Sequence, residues 1–150
     1  MAMSFYYRFA QYSIMIGVLF ISPATGQGNQ LKADPANSQQ VTRGQWLYQR
    51  FCSLCHGKNL QGEANWRQRK ASGKLPAPPH DETGHTWHHP DEVLFGITKY
   101  GLVPPYAPKN YQSDMPGWEG TLNDQDIWAI LAFIKSRWSK DKQVYQQTVK

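Results

Sequence analysis

The sequence predicts an all-α domain with long loops. Three observations predict it. Apolar residues recur at three- and four-residue steps in three separate segments, no stretch alternates apolar and polar residues long enough to make a strand, and prolines and glycines crowd the intervening stretches. With 150 residues and no internal repeat, the chain holds one domain and a leader.

Taken in order, residues 1–26 read as an export signal. Arg8 supplies a positive charge, Ser13 to Ile21 form an apolar run, and Ala24-Thr25-Gly26 offer small residues for cleavage. The run is shorter than the about 20 residues of a comfortable membrane span. Cleavage after Gly26 is expected; an uncleaved anchor is the alternative, because Phe5, Tyr6, Tyr7, Phe9 and Tyr12 lengthen the apolar stretch. Residues 27–37 follow as a polar linker, 38–140 as the folded domain and 141–150 as a C-terminal tail.

The first helix is expected over Ser38 to Phe51, with Gly44, Leu47, Tyr48 and Phe51 on one face. A later helix is announced by Pro90 at its first turn, Asp91 and Glu92 behind it, and Gly101 as a stop. Val93, Leu94, Ile97 and Tyr100 are its apolar residues. Pro104, Pro105, Pro108 and Pro116 then enforce an extended loop. The last helix starts at an Asn123 cap with Asp126 at the capping-box position. Its stripe is Ile127, Ile130, Leu131, Ile134 and Trp138, and Lys135, Arg137 and Lys140 suit its C-terminal end.

Directly after the first helix stands Cys52-Ser53-Leu54-Cys55-His56, and the chain has 2 Cys in all. Two thiols at this spacing each add to a vinyl group of one porphyrin, and the histidine behind the second lies under the iron as proximal ligand. The string therefore points to one haem c, attached through Cys52 and Cys55 and ligated by His56. A thioredoxin-like dithiol would need only the two cysteines, and expects a βαβ context that is missing here. A zinc half-site would need a second ligand pair at a fixed distance. Covalent haem attachment also fits export, since it is characteristic of the bacterial periplasm. From Gly57 to Pro90 the core-forming side chains are chiefly Leu60, Trp66, Leu75 and Trp87, so a buried porphyrin must supply apolar volume and the apoprotein should fold poorly.

These residues resemble the class I c-type cytochromes, small monohaem electron carriers, over roughly Ser38 to Ser139. The resemblance rests on Cys52 to His56, on Gly44 and Tyr48, on Ser113-Asp-Met-Pro-Gly-Trp118 and on Ile130-Leu-Ala-Phe-Ile134. It implies a cytochrome c fold with three main helices and long loops around the haem. The first and last helices would cross nearly at right angles, with Gly44 at the close approach and Phe133 as the aromatic against it. A helical glycine costs about 1 kcal/mol relative to alanine, and close packing is a reason to tolerate it.

The resemblance also implies Met115 as sixth ligand. Elimination agrees: Met1, Met3 and Met15 lie in the presumed signal, and Met115 sits 59 positions after His56 on the proline-rich loop. A flexible core filler is the bland alternative. A thioether ligand would favour ferrous iron and raise the potential relative to a second histidine. His80, His85, His88 and His89 are the rivals, as sixth ligand or as a second metal site, with surface or capping roles as the plainer reading. For the ring nitrogen of His56 that does not face iron, the resemblance implies a proline carbonyl from Leu75-Pro-Ala-Pro-Pro-His80. Pro78 is the preferred match over Pro76 and Pro79, although His80 stands where an apolar residue is more usual. Trp87 would bond a haem propionate, or simply pack in the core.

An iron ligated on both faces has no position for substrate. The carboxylates Glu63, Asp81, Glu82, Asp91, Glu92, Asp114 and Glu119 are scattered, and no nucleophile triad or phosphate loop appears. The expectation is an electron carrier and not an enzyme. Its partners would be redox proteins, a dehydrogenase or quinol-oxidising donor and a terminal oxidase or reductase acceptor. The net charge of +5 is mild and argues against nucleic acid. Lys58, Arg67, Arg69, Lys70 and Lys74 form either a solvated loop or a docking patch for an acidic partner. The alternatives are a gas-binding module with a labile Met115 and a tethered cytochrome subunit of a larger oxidoreductase.

Overall fold

The computed structural model describes Met1 and residues 32–150. The export signal and the first part of the linker lie outside the described residues, save Met1. The described residues form helices α1 (Ser38–Phe51), α2 (Ser53–His56), α3 (Asp91–Tyr100), α4 (Asp124–Ser136) and α5 (Lys140–Thr148), with one 3-10 turn at Thr86–His88 and no strand. The all-α expectation holds.

Sequence-legible caps set the helix ends. The Asn37 side chain accepts from Gln40 N at the start of α1, and Asn123 accepts from Asp126 N at the start of α4. Gly101 ends α3 at φ 85°, a conformation that only glycine adopts without strain. Residues 32–37, expected as a linker, are docked instead: Ala33 is buried, and the Gln40 side chain reaches back to Lys32 O and Asp34 N.

The core lies where α1 crosses α4. A Cβ on Gly44 would fall 1.8 Å from the carbonyl oxygen of Ala129, so the two backbones touch with no room for a side chain. One turn further along, Tyr48 packs against Phe133 with ring centroids 5.4 Å apart. The aromatic partner implied by the resemblance is thus Tyr48's neighbour, and Gly44 meets the α4 backbone itself. Leu47, Tyr48, Ile127, Ile130, Ala132 and Phe133 are all buried here, each large apolar side chain contributing about 1.5–3 kcal/mol.

Helices α3 and α4 run antiparallel, as the ion pairs at their two ends require. Lys99 near the end of α3 bonds Asp124 at the start of α4 (2.8 Å), and Lys135 near the end of α4 bonds both oxygens of Asp91 at the start of α3 (2.8 Å). Phe95 and Trp128 stack between them at 4.5 Å. Lys135 is buried, so its charge depends on Asp91 for compensation.

The segment expected as a tail, 141–150, folds as most of α5, and this corrects the reading. Too few apolar residues mark it for periodicity to find. What holds it is polar: the buried Gln146 amide donates to His89 O (3.0 Å) and Asp91 Oδ1 (2.7 Å), and the Lys142 ammonium lies 3.2 Å from the Trp87 ring centre. The loop after α3 contains a cis peptide between Pro104 and Pro105 and includes a turn at 104–106.

Candidate haem-binding site

Helix α1 runs almost without interruption into the Cys-x-x-Cys-His segment. Cys52 N bonds Tyr48 O, and His56 N bonds Cys52 O (3.0 Å). Helical backbone brings positions i, i+3 and i+4 to one side. Cys52, Cys55 and His56 therefore share a face, which is what joint attachment and ligation of one porphyrin require. Neither cysteine is in a disulfide, Cys55 is exposed and Cys52 half-buried. Burial and the neighbouring Cys55 push the Cys52 thiol up to about 12, the reverse of the lowered thiol expected of a redox dithiol.

Helix α2 ends at Gly57 (φ 79°), and the Tyr48 hydroxyl donates to the Gly57 carbonyl (3.0 Å). The same tyrosine thus serves the helix crossing and the exit from the motif. Two segments, 60–63 and 77–80, then lie side by side. Glu63 N donates to Ala77 O (2.9 Å), His80 N donates to Leu60 O (2.8 Å), and Ala77 N donates to Glu63 Oε2 (2.6 Å). A Cβ on Gly62 (φ 68°) would fall 2.5 Å from Pro79 N, so this contact also depends on glycine. The pairing presents the Pro78 carbonyl to His56, whose Nδ1 lies 2.8 Å away.

A carbonyl can only accept, so Nδ1 carries the proton and Nε2 keeps its lone pair. Burial holds the His56 pKa below its ordinary value, favouring the neutral ring. A neutral imidazole with a free Nε2 is the donor a haem iron needs. The second fitting observation is Trp87, whose buried Nε1 has no hydrogen-bond partner among the described residues. An acceptor such as a propionate would satisfy it, and an unmet buried N–H is costly.

Met115 lies partly buried on the loop between α3 and α4, its N–H donating to Ser113 Oγ (3.0 Å). Just beyond it the loop is clipped to the end of α3: Trp118 N bonds Thr98 O and Glu119 N bonds Lys99 O. Gly117 makes this possible, since a Cβ there would fall 2.7 Å from the Tyr100 carbonyl carbon.

The rival histidines take different neighbours, and His85 and His89 also meet edge-on at 5.4 Å. The His80 ring stacks on that of His56 at 4.0 Å, His85 stacks on Trp66 at 5.3 Å, and His88 lies on Trp87 at 3.6 Å. Among the described residues no three of His, Cys, Asp and Glu gather as a metal-binding group. The basic loop makes contacts at the surface: Lys70 pairs with Glu63, Lys74 with Asp114, Arg69 donates to Gly73 O, and Arg67 lies over Trp66 at 4.2 Å. Glu63, Thr86 and the Tyr48 hydroxyl had no sequence signal. His80 did, as a polar residue at a position where an apolar one is usual.

The profile of the family described as cytochrome C oxidase, cbb3-type, subunit III, matches residues 39–134. The chain is a c-type cytochrome of this family. Membership covers every element from α1 through nearly all of α4, and it brings a covalently bound haem c and electron transfer. Among solved structures, cytochrome CL from the marine methylotrophic bacterium Methylophaga aminisulfidivorans is similar at 23% identity and a TM-score of 0.47, over 74% of this chain. The match takes in 65% of that structure's length, just under two thirds. No curated protein matches. In this cytochrome no helix of the described residues is long and apolar enough to cross a membrane.

Proposed function

We propose that the protein carries single electrons between periplasmic redox partners. Its haem would be bound through Cys52 and Cys55, ligated by His56 and Met115, oriented by the Pro78 carbonyl and bonded at a propionate by Trp87. The observation that carries this reading is the His56–Pro78 hydrogen bond, which puts the proton of the neutral ring on Nδ1 and leaves Nε2 as the donor on the face shared with both thiols. When bound, the haem would supply one-electron gain and loss. The chain's part is to hold both ligands through the change. His56 is held by paired backbone segments, and the loop that carries Met115 is clipped to α3 just beyond it, so little need move between oxidation states. The donor would be a dehydrogenase or quinol-oxidising complex, and the acceptor a terminal oxidase or reductase.

Leu54, between the two cysteines, is 96% exposed. Lys70 and Lys74 are paired at the surface with Glu63 and Asp114, which lowers the charge of the basic patch and favours docking beside the thiols through apolar contact. Electron transfer should then depend only weakly on ionic strength. A second reading has a specific support, because the matched family is named for an oxidase subunit. In that reading the partner is permanent, and native extracts should elute the protein in a large complex.

Carbon monoxide separates carriage from gas binding. Added to the reduced protein, it should leave the low-spin spectrum unchanged. Rapid formation of a carbonyl complex would instead support a gas-binding role with a labile Met115.

A further inference from the structure

His56 has a second neighbour besides Pro78. The His80 imidazole lies face to face with it, ring centres 4.0 Å apart and planes 24° from parallel. His80 is itself held on several sides. Its N–H donates to Leu60 O (2.8 Å), its carbonyl accepts from Trp138 Nε1 (2.8 Å), and Tyr48 meets its ring edge-on at 6.3 Å. Its Nδ1 lies 2.8 Å from Thr86 Oγ1, and the Thr86 hydroxyl donates to Pro79 O (3.4 Å). Whichever of the two carries the proton, the 2.8 Å bond to Thr86 tethers the ring. The ring cannot flip or swing without breaking this chain of contacts.

We propose that His80 is a positioning residue for the proximal ligand, its anchored ring forming a wall that sets the rotation of the His56 imidazole about its bond to the iron. The inference rests on His56 being that ligand. The Pro78 carbonyl fixes one edge of the imidazole, but a single hydrogen bond leaves the ring free to rock about the line joining its two nitrogens. A flat surface against one face removes that freedom. An aliphatic side chain fills the same space with a rounded surface and imposes no plane. The orientation of an axial imidazole determines how unpaired spin in ferric haem is distributed among the four pyrroles, and neighbours of the ligand set that orientation.

The test is the proton NMR spectrum of the ferric, haem-loaded protein, read as the order and spread of the four hyperfine-shifted haem methyl signals. His80→Phe keeps a flat face and should keep the wild-type order. His80→Leu should lose the order and narrow the spread. Thr86→Val, which removes the tether and leaves His80 in place, should narrow the spread and serves where His80→Leu binds haem poorly. Wild-type order and spread in both His80→Leu and Thr86→Val would overturn the proposal. The ligand reading fails separately: a wild-type spectrum without low-spin, histidine-ligated haem would refute it before any variant is compared.

Discussion

The α1–α4 crossing and the segment from Gly57 to Pro90 are held together in opposite ways. In the crossing, two helix backbones touch at Gly44 and Ala129, and buried apolar side chains surround the contact. In the loop segment Leu60 is the one buried large aliphatic side chain. Its shape depends on backbone hydrogen bonds, the Glu63–Ala77 link, stacked rings and glycines at positive φ. The crossing is a self-sufficient core that aims the Cys-x-x-Cys-His face, whereas the loop is a scaffold for one histidine and needs the haem to complete its packing.

The largest effect should come from the crossing. Gly44→Leu places a side chain where the Ala129 carbonyl stands, and backbone cannot yield as a flexible side chain would. A loss above about 5 kcal/mol is expected, seen as absence of a cooperative thermal transition. An unchanged midpoint would break the contrast. Next, the haem-free protein should separate the two regions: amides of α1 and α4 should retain slow hydrogen exchange, and those of 57–90 should exchange quickly. Equal protection in both would show that the loop folds without the haem.

Lys135→Met leaves the Asp91 carboxylate with the Gln146 amide but no charge partner and should cost up to about 3 kcal/mol, in haem-loaded and haem-free protein alike, because the pair belongs to the helical frame. Denaturant midpoints measure it. Glu63→Gln is the smallest change, below about 1 kcal/mol for so exposed a group. The Ala77 N–H and the Lys70 ammonium hold the Glu63 carboxyl below its ordinary value of 4.5. Its contribution is therefore full above that value and fades as pH falls through the lower folded value. The midpoint difference between wild type and Glu63→Gln should shrink between pH 5 and about pH 3, the span of ordinary carboxylate titration.

The sequence revealed most where local rules decide. Helices α1, α3 and α4 carry their periodicity and caps in adjacent residues, and the Cys52 to His56 string carries its chemistry in its spacing. Helix α5 escaped because Gln146 and Lys142, not an apolar stripe, dock it. Pro78 was accessible through a family resemblance, but the stacking of His80 on His56 depends on how the loop returns, which no local pattern encodes. The basic loop shows the same limit. Its charges look available in sequence, and folding pairs Lys70 with Glu63 and Lys74 with Asp114.

Closure of the iron by His56 and Met115 is the central claim, and near-infrared absorption of the ferric protein tests it most directly. The wild type should show the thioether-to-iron charge-transfer band, and Met115→Ala should lose it while keeping covalent haem. Persistence of the band in Met115→Ala, or its absence from the wild type, would contradict the account.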